Sequence, residues 1–241
     1  MSIRAQDFSK ALAKVAALGL LALGFSSAGG ATPFRDLRGS THIQGDAGAG
    51  EKKAATCFAC HGANGASIAP NFPRLAGQRP VYLYDRLVSF KQAKPKDPYY
   101  SISPMTAMAA PLSDTDMRDL AVFFAGQQPQ ASSGADAAPH TEAGASIFLN
   151  GDTSRGIPPC QGCHGTDANG SNIHSGQYAA YPALRGQYDA YLVARLTNFR
   201  KGLPNTTSND FVMAGVAHNL DDASIQAIAA YLSSLSPAKS F

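Results

Sequence analysis

The four cysteines of the 241-residue chain occur in two matching motifs. Cys57-Phe58-Ala59-Cys60-His61 and Cys160-Gln161-Gly162-Cys163-His164 both read CxxCH, and a glycine follows each. Two thiols three positions apart, with an adjacent imidazole, can form a disulfide or redox pair or contribute to a zinc site. They can also attach a haem through two thioethers, with the imidazole as a ligand of the iron.

Other features of the sequence favour haem over zinc or a disulfide. A zinc ribbon needs two CxxC arms in one fold, whereas Cys57 and Cys160 lie 103 positions apart, one in each half of an internal repeat. Each half is also small and would be marginally stable without a large apolar group in its core. The sequence therefore predicts two covalently attached haem c groups, with His61 and His164 as proximal iron ligands.

The N-terminus has the pattern of a secretory signal. Basic residues precede an apolar run at residues 15–25, and small residues at 26–31 allow cleavage after Ala28 or Ala31. Eleven apolar residues are too few for a helix that crosses about 30 Å of hydrocarbon. Export predicts a periplasmic protein in an oxidising compartment. The net charge of +3, without any run of five like charges, argues against nucleic-acid binding.

The internal repeat extends beyond CxxCH. A Pro-x-Leu-x-Gly-Gln segment occurs at residues 73–78 and again at 182–187, an offset of 109 positions. Between the halves lies a segment rich in Ala, Ser, Gly, Pro and Gln, which is typical of a linker. The predicted organisation is a signal peptide at 1–31, a lead-in at 32–44, a first domain at 45–126, a linker at 127–141 and a second domain at 142–241.

The hydrophobic pattern predicts an all-α fold. Residues 79–92 and 188–200 place their apolar side chains on one face at helical spacing. Ser113 and Asp221 are predicted N-caps of a closing helix in each half, and an entry helix is expected ahead of or at the cysteines. No segment alternates long enough to support a sheet.

The sixth iron ligand distinguishes an electron carrier from a site that reacts with oxygen or peroxide. Met105 and Met213 both lie in Pro/Gly-rich loops, seven residues before the leucine that opens the last helix. They are the predicted axial ligands, so the predicted iron ligands are His61, Met105, His164 and Met213. Met108 is an alternative to Met105, and Met117 belongs to the apolar stripe of the closing helix.

Pro73 and Pro182 follow the two CxxCH motifs at corresponding places and are included among the predicted cofactor-binding residues. They could simply be proline residues of a loop, without a role at the cofactor. Their carbonyl oxygens could instead accept a hydrogen bond from the proximal histidine. The remaining histidines lack a counterpart in the other half and are predicted to be solvated; they are His42, His140, His174 and His218.

The sequence resembles the dihaem cytochrome c4 family over essentially the whole mature chain. In the first half the resemblance rests on CxxCHG, on PNFPRLAGQ at residues 70–78, on MTAM at 105–108 and on PLSD at 111–114. In the second half it runs from Cys160 through Pro182 to MAGV at 213–216. It implies two tandem class I cytochrome c domains related by a pseudo-twofold axis. Each would be built around a covalent haem with His/Met ligands, and the propionate edges of the two haems would lie near each other.

The resemblance also implies a function. Such a protein carries electrons in the periplasm between respiratory complexes and turns over no substrate. Its donor would be on the quinol–cytochrome c reductase side and its acceptor a haem-copper terminal oxidase, with a monomeric state and association with the membrane surface. An insertion around residues 171–177 and the lead-in from Thr32 depart from the family pattern. Two alternatives remain: a dihaem peroxidase or thiosulfate-oxidising enzyme with one atypical haem, and an electron-transfer subunit of a dehydrogenase or oxidase complex.

Overall fold

The computed structural model describes residues 33–129 and 141–238. The predicted signal peptide and most of the predicted linker lie outside the described residues. Within them the secondary structure is helical, with isolated β-bridges and no strands, as the sequence predicts. The α-helices are α1 (Ala47–Ala54), α2 (Phe58–His61), α3 (Pro80–Gln92), α4 (Pro104–Ala109), α5 (Asp114–Gly126), α6 (Thr141–Asn150), α7 (Gln161–His164), α8 (Asp189–Arg200), α9 (Ser208–Ala217) and α10 (Asp222–Ser234).

The internal repeat of the sequence is also a repeat of structure. Helices α1 to α5 form the first half, and α6 to α10 follow in the same order in the second. In each half the first helix packs on the last, as α1 on α5 and α6 on α10. The middle helices α3 and α8 also pack on α5 and α10. Each half therefore encloses its own apolar core between three helices.

The predicted helices and caps are confirmed at their expected places. Helices α3 and α8 begin one residue later than predicted, at Pro80 and Asp189. Ser113 accepts a hydrogen bond from the backbone N–H of Asp116, whose side chain in turn accepts one from the backbone of Ser113. Asp221 likewise accepts from the backbone of Ser224 and caps α10.

Glycine allows the first and last helices of each half to cross closely. A Cβ at Gly50 of α1 would overlap the Asp119 carbonyl of α5. A Cβ at Gly144 of α6 would overlap the Ala227 carbonyl of α10 in the same way. Glycine is a poor helix former, so its place inside these helices is explained by the crossing.

The described part of the lead-in packs against both halves. The backbone N–H of Arg35 donates to the Thr206 carbonyl at 2.8 Å, and Ser208 N–H donates to the Arg35 carbonyl at 3.0 Å. The Arg35 side chain donates to the Ser89 hydroxyl of α3 at 2.6 Å. Leu37 of the lead-in is buried in an apolar cluster that also includes Ala180, just beyond the insertion.

Two buried glutamines join the halves by a reciprocal exchange of hydrogen bonds. Gln78 Nε2 donates to the Ala183 carbonyl at 2.9 Å, and Ala183 N–H donates to Gln78 Oε1 at 2.9 Å. Gln187 makes the corresponding pair with Arg74, at 3.1 Å to its carbonyl and 3.0 Å from its N–H. Because repeat-equivalent residues make both pairs, the seam between the halves has local twofold symmetry.

A buried ion pair adds a second connection between the halves. Arg86 of α3 lies 2.7 Å from the Asp85 carboxylate and 3.4 Å from the Asp210 carboxylate of α9. Both carboxylates are almost fully buried. The contact between Arg86 and Asp210 therefore connects α3 to α9. Removing either partner would leave the other charge buried and uncompensated.

We predict that Gly50→Ala and Gly144→Ala each lower the free energy of unfolding by about 1–3 kcal/mol, because the added methyl group forces the crossing helices apart. Chemical denaturation of the holoprotein measures the change. Gly126→Ala is the matched control, because nothing lies within 4 Å of a Cβ at that position in α5. A loss for Gly126→Ala as large as for Gly50→Ala would contradict the crossing argument.

Candidate functional site

A single helical turn positions the reactive side chains of each half. In the first half, His61 N–H donates to the Cys57 carbonyl at 2.9 Å. In the second, His164 N–H donates to the Cys160 carbonyl at 3.0 Å. Residues three apart share one face of a helix, so the two sulfurs of a motif lie on one side of the turn with the imidazole directly after them.

The glycine after each histidine is required by the backbone. Gly62 has a φ of +73° and Gly165 a φ of +80°, values that favour glycine. A Cβ at either position would also overlap a backbone carbonyl, that of Ala66 or of Gly170. The chain therefore turns sharply back beside the histidine in both halves.

Each histidine is buried and oriented by a proline carbonyl. His61 Nδ1 lies 2.9 Å from the Pro73 carbonyl oxygen, and His164 Nδ1 lies 3.0 Å from that of Pro182. A carbonyl oxygen only accepts, so Nδ1 donates and the lone pair is on Nε2. This contact favours the acceptor interpretation of the two prolines over that of plain loop residues. Their role at a bound cofactor stays a prediction.

The pKa values of both histidines favour the neutral, metal-binding form. Burial lowers the pKa of His61, and the bond to Pro73 partly offsets that change. Burial likewise lowers the pKa of His164, the bond to Pro182 raises it, and the positive charge of Arg79 lowers it further. A neutral imidazole with a free Nε2 is the form that binds iron.

The cysteines lack the features of a redox pair or a zinc site. None of the four takes part in a disulfide. Burial raises the pKa of Cys57 and Cys163, and raises the pKa of Cys160 to about 11, whereas reactive CxxC pairs have lowered pKa values. In the described part of the chain, no three His, Cys, Asp or Glu side chains form a group that could hold a metal ion.

The methionines lie in helices, which corrects the prediction that they occupy loops. Met105 is in α4, which begins at Pro104 because the Ser103 hydroxyl accepts from Met105 N–H at 3.3 Å. Met213 is in α9. Met117 is buried in α5, which confirms its core role, and Met108 is exposed. The iron-ligand roles of Met105 and Met213 stay predictions.

Apolar and aromatic side chains lie beside each motif. The ring centroids of His61 and Phe72 are 6.3 Å apart, and those of His164 and Tyr181 are 6.1 Å apart. Partly buried hydrophobic residues border both cores, with Cys57 among them in the first half and Cys160 in the second. Two unpaired thiols, a neutral imidazole and adjoining apolar surface fit a covalently attached haem.

Comparisons with known proteins agree with this chemistry. The family model described as cytochrome c matches residues 30–128 and again residues 141–236. The chain is 39% identical to cytochrome c4 of Azotobacter vinelandii over 203 residues, which are 83% of this chain and 93% of that protein. It is 36% identical to a thiosulfate dehydrogenase electron acceptor of Thiomonas intermedia, over 78% of this chain and 83% of that protein.

A solved structure gives the same result for the fold. The crystal structure of reduced recombinant cytochrome c4 from Pseudomonas stutzeri matches with a TM-score of 0.68 and 37% identity, over 80% of this chain and all of that one. The two halves are tandem c-type cytochrome domains. The chain belongs to the cytochrome c family and, within it, to the dihaem cytochrome c4 group.

Two covalent haem c groups follow, one at Cys57 and Cys60 and one at Cys160 and Cys163, and they supply one-electron redox chemistry when bound. The protein is a dihaem c-type electron carrier. Each group would be attached through two sulfurs of the chain, and the Nε2 atoms of His61 and His164 stay the predicted ligands of its iron. The proline carbonyls hold the imidazole rings in a fixed orientation.

Sequence reasoning missed several residues that organise the two sites. It found Gln78 and Gln187 only as part of the repeat and assigned them no partner. It also missed Arg79, whose guanidinium donates to the Ser171 carbonyl of the other half at 2.7 Å. His174, predicted to be solvated, is exposed but lies 3.1 Å from the same guanidinium. The sequence signal that could have identified Arg79 is its position directly after the repeated Gly-Gln.

We predict that replacing Cys57 and Cys60 by alanine leaves one covalent haem per chain, because thioethers can then form only in the second half. Intact mass under denaturing conditions, which removes any haem held without a covalent bond, makes the count. The Cys160/Cys163 double variant should also carry one haem, and Cys57→Ala alone should still carry two. Two covalent haems in the Cys57/Cys60 double variant would show that these sulfurs are not the attachment points.

Proposed function

We propose that this electron carrier works in the periplasm between respiratory complexes. It would accept electrons on the quinol–cytochrome c reductase side and deliver them to a haem-copper terminal oxidase. In this proposal the protein is a monomer that associates peripherally with the membrane and turns over no substrate. The supporting observation is that both halves bring the same groups, two thiols and a proline-bonded histidine, to the same place. A dihaem enzyme would need one half to differ.

Methionine as the sixth ligand is part of the proposal. Met105 lies in α4, which packs on α3, and Met213 lies in α9, which packs on α8. The two helices thus have equivalent neighbours in the repeat. A thioether closes the iron to other ligands and favours the ferrous state, which suits a carrier and raises its reduction potential.

We expect Met105→Leu and Met213→Leu each to open one iron, because leucine keeps the volume but cannot bind the metal. Each variant should lose about half of the long-red absorption band of methionine-ligated ferric haem, and one haem should then bind cyanide rapidly. Met108→Leu is the control and should retain the full band. Loss of the band in Met108→Leu, with Met105→Leu unchanged, would assign the first site to Met108.

Export to the periplasm rests on the N-terminal pattern and on the family. The basic and apolar residues of the first 31 positions have the order of a secretory signal. Covalent haem attachment through CxxCH suits an exported protein, whose thiols must be paired or covalently used. Within residues 33–129 and 141–238, no helix combines the length and apolar character needed to cross a bilayer.

A second candidate donor is a thiosulfate dehydrogenase. It is favoured by the similarity to the Thiomonas intermedia protein, which is described as an electron acceptor of that enzyme. In that case the carrier would receive its electrons from thiosulfate oxidation rather than from quinol. The two candidates differ in the source of the electron and can be separated by kinetics.

We expect membranes of the native host to oxidise the reduced holoprotein rapidly, and cyanide to block that oxidation, because cyanide binds terminal oxidases. The absorbance of the reduced haems gives the rate. A quinol with the same membranes should reduce the oxidised protein faster than thiosulfate with thiosulfate dehydrogenase. Reduction by the thiosulfate system alone, with no oxidation by membranes, would contradict the respiratory proposal and support the second candidate.

A further inference from the structure

Two repeat-equivalent side chains cross the seam between the halves in opposite directions. Position 79 follows Gln78, and position 188 follows Gln187. Arg79 Nη1 donates to the Ser171 carbonyl of the second half at 2.7 Å. Tyr188 Oη donates to the Ser67 carbonyl of the first half at 2.6 Å. The two crossings are alike in geometry, but Arg79 is cationic and Tyr188 is neutral.

The positive charge of Arg79 is buried, and no Asp or Glu side chain of the described residues forms an ion pair with it. The residue is 2% exposed, and none of the ion pairs within residues 33–129 and 141–238 includes it. Its neighbours at hydrogen-bond distance are the Ser171 carbonyl and His174 Nδ1. Guanidinium groups stay protonated in proteins, so a fixed positive charge lies inside this seam. Such a charge acts strongly on its surroundings because water does not screen it.

The guanidinium lies beside the backbone that carries the second proximal histidine. A Cβ at Gly170 would overlap Arg79 Nη1, so the side chain lies directly on that glycine. Gly170 N–H in turn donates to the His164 carbonyl at 2.8 Å. The glycine against which Arg79 lies is therefore joined to His164 by a single hydrogen bond.

We propose that the charge of Arg79, a residue of the first half, raises the reduction potential of the second haem, which is attached at Cys160 and Cys163. Reduction adds one electron to the iron and releases no other species. A nearby positive charge stabilises the reduced state relative to the oxidised state. Tyr188 itself brings no charge to the first haem, and the cation beside Tyr188 is Arg74 of the first half, whose guanidinium lies 4.3 Å from the Tyr188 ring centroid. The proposal requires both haems but not a particular donor or acceptor.

Redox titration of the holoprotein, followed by NMR, tests the effect on each haem separately. Haem resonances can be assigned through Phe72, which lies beside His61, and Tyr181, which lies beside His164. In Arg79→Gln, the reduced-to-oxidised ratio of the second haem at a fixed ambient potential should fall about tenfold. The first haem should change much less. Arg79→Lys keeps the charge and should restore most of the ratio.

Two further variants separate charge from structure. Tyr188→Phe removes the opposite crossing bond without a change of charge and should leave the second haem unaltered. His174→Glu places a carboxylate beside Arg79 at an exposed position, so it tests the charge even if Arg79→Gln folds poorly. It should lower the reduced-to-oxidised ratio of the second haem, and His174→Gln is its neutral control. Equal changes at both haems, no change in Arg79→Gln or His174→Glu, or failure of Arg79→Lys to restore the ratio would overturn the proposal.

Discussion

The hydrogen bond from a buried histidine Nδ1 to a proline carbonyl is the contact on which each site depends. It holds the proton on one ring nitrogen and leaves the other available for iron. The chain must therefore return to the histidine after every CxxCH, and it does so over different lengths. His61 and Pro73 are 12 positions apart, whereas His164 and Pro182 are 18 apart, yet the two bonds measure 2.9 and 3.0 Å. The insertion in the second half is thus accommodated outside the contact.

The sequence predicts the elements whose signal is local and repeated. Helices α3 and α8 are found because their apolar side chains share one face, and α5 and α10 because Ser113 and Asp221 are strong caps. Helices α4 and α9 are missed. Helix α4 is six residues long and begins with proline, so no apolar period can develop, and its start depends on the Ser103 cap. The glycines at the helix crossings are missed because propensity alone argues against them.

The residues of the two sites divide in the same way. Those with a local sequence signal are predicted, and those whose partners are distant in sequence are not. The CxxCH motif, five consecutive residues, identifies the cysteines and the histidine of each half. The prediction of covalent haems follows from this motif. The partners of Gln78 and Gln187 lie 105 and 113 positions away, so no local pattern identifies them. The contacts of the lead-in also have no local signal, because the partners of Arg35 and Leu37 lie in both halves.

The glutamine exchange gives the seam the symmetry of an interface between two identical subunits. In a symmetric homodimer, residue i of one subunit contacts residue j of the other, and j contacts i. Gln78 with Ala183 and Gln187 with Arg74 obey that rule when the halves are treated as subunits. The seam therefore has the form of a symmetric dimer interface between two one-domain cytochromes. Because both halves belong to one chain, they need not be identical, and arginine stands at one crossing position and tyrosine at the other.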